Sequence, residues 1–561
     1  MAGGNHTPAH PRRPSRPRAR VSGLVMLAAL ALVPAARAQE AETHDHGLGR
    51  LGRVSFPVSC TPEAHRRFER AMAVLHSFWW AEGERAFGAV LEADSSCSMA
   101  HWGRALNAWG NPFAGGPSGA ALTQGADMAA RAAARPLRTP REQGFVNAVA
   151  ALYRVAAAAS NAAGLQSYAD TMARLHRELP GDREVTIYYA LALLATASRT
   201  DTTFAQQKRA VGLLDPLYAA HPDHPGLAHY IIHSTDSPRL ATHGLNAARR
   251  YARIAPSAPH AHHMPSHIFV RLGLWDETIA ANWRSFDAGM AHARATKAAG
   301  ASGEELHALD YAVYGYLQRG QDSAARHAVA TGQALEIPPA RNSLISEYNR
   351  TAMAARMSLE RGDWAAAASF PPPVPPETGV AAVLGRFTRA VGAARSGRLR
   401  AARAEVTALD AIAGALESRP EAYWSRVAGI KRDAASAWIL FESGDTAGGL
   451  ALAAAAADTE DVTDKHPVTP AELLPARELQ ADMLLAAGRH AEARAAYRAT
   501  LAREPGRARS LFGAARAAQL AGDGRGASES YRQYAKAMQR SDGARPELSI
   551  ARAFLRQHSR P

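Results

Sequence analysis

Residues 484–508 read LLAAGRHAEARAAYRATLAREPGRA, and residues 519–536 read QLAGDGRGASESYRQYAK. Three positions repeat in step, Gly488 with Gly522, Ala493 with Ala527 and Tyr497 with Tyr531, each pair 34 residues apart. A period of this length means one supersecondary unit per repeat, stacked on its neighbours. Alanine and glycine at fixed places let two antiparallel helices cross closely, and Pro505 falls after the second helix, where proline is tolerated. The stretch predicts an all-α solenoid of stacked antiparallel helix hairpins, each burying its apolar face against the next.

Weaker copies of the same turn lie upstream: Leu272-Gly273 before Trp275, Gln318-Arg319-Gly320, Arg361-Gly362-Asp363-Trp364, Ser396-Gly397 and Ser443-Gly444. Their spacing drifts between about 35 and 47 residues, so several hairpins carry longer helices or loops. A first hairpin is legible from Ala64 through Trp80 and from Glu82 to Ala93, with the next beginning at Ser98. Strand signals are nearly absent. At 561 residues the chain exceeds one compact core, which suits an elongated array.

The 34-residue pattern resembles the tetratricopeptide repeat. The segments SMAHWGRAL (98–106), AHYIIHSTD (228–236), APHAHHMPSHIFVRLGLWDE (258–277), HALDY (307–311) and TDKHPVTPAELLPARELQADMLL (463–485) look like a widespread group of bacterial exported or cytoplasmic tetratricopeptide-repeat proteins. The similarity runs from about Ser55 to the last repeat, and HMPSHIF is its most specific part. It implies a helical-repeat fold with a histidine-marked centre and no agreed reaction. The chain departs from the pattern at Ser95, where proline usually follows the acidic residue, and at His101, where an aromatic commonly precedes tryptophan.

The first residues form a segment of their own. Arg12, Arg13, Arg16, Arg18 and Arg20 precede an apolar stretch from Val21 to Val33, and Ala36-Arg37-Ala38 follows, which predicts a secretory leader over 1–38. Six arginines and no acids precede Gln39, so the formal charge of +14 falls to 14 − 6 = +8 without them. Periplasmic or secreted export is expected, with no transmembrane segment in the mature chain. No Lys/Arg run with interleaved aromatics follows residue 38, so no nucleic-acid partner is expected. Cys60 and Cys97, an even pair bound for an oxidising compartment, predict a disulfide whose 37-residue separation contributes about 4 kcal/mol by loop entropy. After a flexible segment over 39–60, a superhelix is expected over 61–370. The proline run Phe370 to Pro376 marks a linker over 371–377, and further repeats over 378–561 follow.

Unusual chemistry concentrates between residues 221 and 311. His229, His233 and Asp236 are spaced i, i+4 and i+7; His263 and His267 straddle Pro265; His307 and Asp310 are spaced i, i+3. If these segments are the first helices of successive hairpins, they line one groove. Neutral imidazoles with one or two carboxylates would there suit a divalent transition metal such as zinc, iron, nickel or copper rather than calcium. HYIIH lacks the glutamate that a zincin helix places after its first histidine, so that protease motif fails. Two function classes stand: a scaffold that binds a protein or peptide in its concave groove, and a metal-binding protein or metal-dependent enzyme using His229, His233, His263, His267, His307, Asp236 and Asp310. The histidines equally fit a structural role, as helix caps and buried struts.

Overall fold

The computed structural model describes residues 48–558 apart from 136, 339–342, 373–378, 418–421 and 544. The leader expected over 1–38, the start of the expected 39–60 segment and most of the expected 371–377 linker lie outside the described residues. Through the described residues helix follows helix from Pro62–His76 to Pro546–Gln557, and none lies in a strand. Consecutive helices pack on one another along the chain, the arrangement of a tetratricopeptide-type solenoid. No helix among the described residues is long and apolar enough to cross a membrane.

The deciding repeat folds as its spacing predicts. Helices Ala476–Ala486, His490–Arg503, Ala508–Leu520 and Gly524–Ala537 form two hairpins. Gly488 and Gly522, at φ +75° and +81°, end the first helix of each in the left-handed conformation that a Cβ disfavours. Ala493, Ala527, Tyr497 and Tyr531 are buried. A Cβ on Gly513 would lie 2.2 Å from the Tyr497 ring, so this helix crossing requires glycine. The upstream turn glycines 273, 320, 362, 397 and 444 share the positive φ. After Gly362, Gly444 and Gly522, the aspartates Asp363, Asp445 and Asp523 cap the following helices, each accepting the backbone N–H three positions on.

Two segments outside the helices position the site. Of the stretch 39–60, expected to be free, residues 48–60 pack onto the array: Leu51 and Phe56 are buried, and Phe56 lies 5.1–5.6 Å from the rings of Phe68, Trp102 and Phe145. Cys60 and Cys97 are disulfide-bonded, tying this stretch to the start of the Ser98–Trp109 helix. The second segment, residues 462–475, joins Thr446–Asp461 to Ala476–Ala486 and crosses to the histidine-bearing helices. Tyr311 donates to the carbonyls of Pro467 and Thr469 at 3.0 and 3.1 Å, Arg356 to that of Ala471 at 2.8 Å, and the Asp464 N–H to Arg199 O at 2.9 Å. These bonds satisfy irregular backbone that burial would otherwise leave costly.

Candidate metal centre

Three successive hairpins deliver six histidines to one place. His229 and His233 lie on helix Pro225–Thr235; His260 and His263 on Pro259–His263, which runs through Met264 into Pro265–Arg271 and carries His267; His307 lies on Gly303–Gln318. They form two groups, His229/His233/His260 and His263/His267/His307, each offering three ring nitrogens within 4.8 Å of one another. The groups adjoin, with ring centroids 6.0 Å apart for His260 and His263 and 6.4 Å for His233 and His267.

The hydrogen bonds around these rings fix where their lone pairs point. His229 Nδ1 donates to the carbonyl of His76 at 2.7 Å, and His267 Nδ1 to Asp236 Oδ2 at 2.9 Å. His263 Nδ1 donates to Asn282 Oδ1 at 2.6 Å, the amide orientation being set by Asn282 Nδ2 on Thr278 O. With Nδ1 carrying the proton, Nε2 of a neutral ring carries a lone pair. Nε2 of His263 and of His267 lie 3.0 Å apart, so two lone pairs face each other and neither neutral ring has a proton to donate. Nε2 of His229 and of His233 lie 3.1 Å apart, where a His233 ring protonated at Nε2 donates to the His229 lone pair. His260 Nε2 and His307 Nδ1 are buried without a hydrogen-bond partner, while His260 Nδ1 lies 3.7 Å from Glu304.

An extra proton is disfavoured. Burial holds His229, His233 and His263 well below the usual histidine range, with neighbouring imidazoles adding to the effect, and pulls His307 down to about 3. His267 is lowered by burial against the pull of Asp236. A metal cation satisfies the facing lone pairs of His263 and His267 directly: their N···N separation of 3.0 Å corresponds to roughly a right angle at an ion with ~2.0–2.1 Å bonds to imidazole.

The cluster at His76, Glu184 and His224 is the internal control. It too brings three metal-ligating groups within 4.8 Å. Here, however, every ring nitrogen has a complementary partner. Glu184 accepts from His76 Nε2 at 3.1 Å and His224 Nε2 at 2.9 Å, His76 Nδ1 pairs with Tyr230 OH, and His224 Nδ1 accepts the Leu227 N–H as a helix cap. This is a satisfied structural network, and it supports the site because the His76 carbonyl orients His229.

Of the residues singled out from sequence, His229, His233, His263, His267 and His307 come together. Asp236 does not join their nitrogens; it lies just past its helix and orients His267 while binding Arg271 at 2.8 Å. Burial would raise its carboxyl, but Lys465 and Arg271 hold it well below the usual range. Asp310 turns away, fully buried against Arg356 at 2.9 Å, and it is Tyr311 rather than Asp310 that accompanies His307 beside His263. Although His263 precedes Pro265, it is helical: Pro259 begins the helix a turn earlier and Met264 stays helical before Pro265. Sequence reasoning missed His260, although 260, 263 and 267 share the i, i+3, i+7 spacing of one face. Phe78, in the aromatic stretch 76–80, places its ring 4.5 Å from that of His229, and its φ of +52° is a strained conformation held beside the site.

No family model matches this chain, and no curated protein does. Among solved structures it is similar to the human IFIT1 dimer with m7Gppp-AAAA, at 12% identity over 75% of this chain and 86% of that chain, TM-score 0.36. It is also similar to yeast Tom70, at 12% identity over 89% and 96%, TM-score 0.25. The P58(IPK) TPR domain matches at 14% identity over 68% and 100%, TM-score 0.21. At such identities and scores the likeness says nothing of ligand or partner.

A cavity of ≈ 1050 Å³ reaches the centre, with His233 and Asp236 in its wall. The Asn111–Pro117 loop and the 462–475 segment both contribute to its lining. Phe113 from the first packs 4.4 Å from His233, centroid to centroid, and His466 from the second hydrogen-bonds to the Phe113 backbone. Of the six histidines, His233 is the one that lines this cavity.

Proposed function

We propose that this chain is a metal-binding helical-repeat protein whose two adjoining three-histidine sites hold transition-metal ions and present them to a molecule entering the cavity, as in a metal-dependent enzyme. The observation that carries the proposal is the His263–His267 contact, in which both Nδ1 protons are committed outward and both Nε2 lone pairs face inward. All-imidazole donor sets suit zinc, copper, iron or nickel and disfavour calcium and magnesium. Bound there, such an ion supplies Lewis acidity or activates a water. The protein's own residues do the rest: Asp236, Asn282 and the His76 carbonyl fix the rings, and Phe113 and Phe78 pack against His233 and His229. The Cys60–Cys97 disulfide supports export to an oxidising compartment, and we propose that 1–38 directs it.

Metal analysis by mass spectrometry on untagged protein tests this. Close to two ions per chain are expected, falling to about one in the folded double variant His263→Ala, His267→Ala. A chain that takes up no zinc, copper, iron or nickel would return the histidines to a structural role. Binding of a protein or peptide remains the second proposal, supported by the same cavity on the inner faces of the helices.

A further inference from the structure

Lys465 stands out among the groups beside the centre. Its side chain is 7% exposed, and its ammonium meets Asp236 Oδ2 only at 3.5 Å, a long ion pair. One long ion pair leaves a buried ammonium incompletely compensated, and burial pulls Lys465 down to about 8 despite Asp236. The nearby acids are already committed: Asp236 and Asp464 to Arg271, Asp201 to the N–H groups of Thr203 and Ala205. Glu347, which also lines the cavity, has an interaction of its own. Lys465, His233 and Asp236 border the same ≈ 1050 Å³ cavity, whose wall further along is apolar, with Phe204, Leu344, Val380, Leu416 and Trp424. That volume is at the upper end of small-molecule pockets.

We propose, resting on the metal-centre assignment, that the substrate of this site is a small organic carboxylate with an apolar body, its anionic head on Lys465 beside His233 and its body along the Leu344–Trp424 wall. A single ammonium suits one carboxylate, whereas phosphate is commonly met by an arginine fork or a glycine-rich nest.

Calorimetric titration with acetate, hexanoate and 3-phenylpropionate, each against its neutral amide, tests the proposal on metal-loaded and metal-stripped protein. The longer acids should bind at least tenfold tighter than their amides, and the preference should persist in stripped protein, where no metal contributes. Lys465→Met should lose the preference with metal content unchanged, and Lys465→Arg should keep it. Acids that bind no better than amides throughout the series, or a Lys465→Met variant that still prefers acids, overturn the proposal. Lys465-dependent preference in a chain that binds no metal would sink the metal centre and leave the anion site standing; metal without the preference does the reverse.

Discussion

At the scale of single residues, the account turns on protons. Asn282 touches no proposed metal position, yet it fixes which nitrogen of His263 faces inward. Asn282→Leu should therefore weaken metal binding roughly 10–100-fold, by chelator competition, without unfolding the chain. His101 gives a separate pH test away from the centre. Both its ring nitrogens are buried without partners, and burial pulls it to about 4. The unfolded chain protonates it near the ordinary 6.5 while the folded chain does not, so its share of stability is full above about pH 6.5 and is lost as pH falls towards 4. The Tm of metal-free protein should drop over that window, and His101→Phe should make the drop shallower; an unchanged slope would show that His101 is not held neutral. Histidine identity and most pairings were legible from spacing. The turn of Asp310 away to Arg356 was not, because neighbours at i and i+3 diverge by about 60° and tertiary partners choose between them.

Among the elements, the turns were the most legible, since a glycine at positive φ followed by a capping aspartate is a local rule. The helix through Pro265 was hidden for the opposite reason: proline disfavours a helical residue before it, and packing overrides that preference at Met264. The 462–475 segment was also invisible, because its partners Arg199, Tyr311 and Arg356 lie more than a hundred residues away. Arg356 joins this segment to the Gly303–Gln318 helix through Asp310, Thr469 and Ala471. Arg356→Met leaves Asp310 charged and buried, and should cost about 3–5 kcal/mol in urea denaturation, with faster hydrogen exchange over 462–475. Pairing it with Asp310→Leu should recover much of the loss. A single variant as stable as the parent would deny the segment its anchor.

For the whole molecule, the 34-residue period made the solenoid legible, while the convergence of three hairpins on one six-histidine centre rested on the stacking inferred from it. The disulfide was also legible, from number and compartment. Cys60→Ser with Cys97→Ser should remove about 4 kcal/mol of stability, seen as a lower Tm and urea midpoint, without changing metal content. The most direct test of the central claim is anomalous diffraction from crystals of metal-loaded protein, collected at the absorption edge of the bound element. The account predicts two peaks, one among His229, His233 and His260 and one among His263, His267 and His307. Loaded crystals with no peak at either triad, or with peaks only at surface histidines, would contradict it.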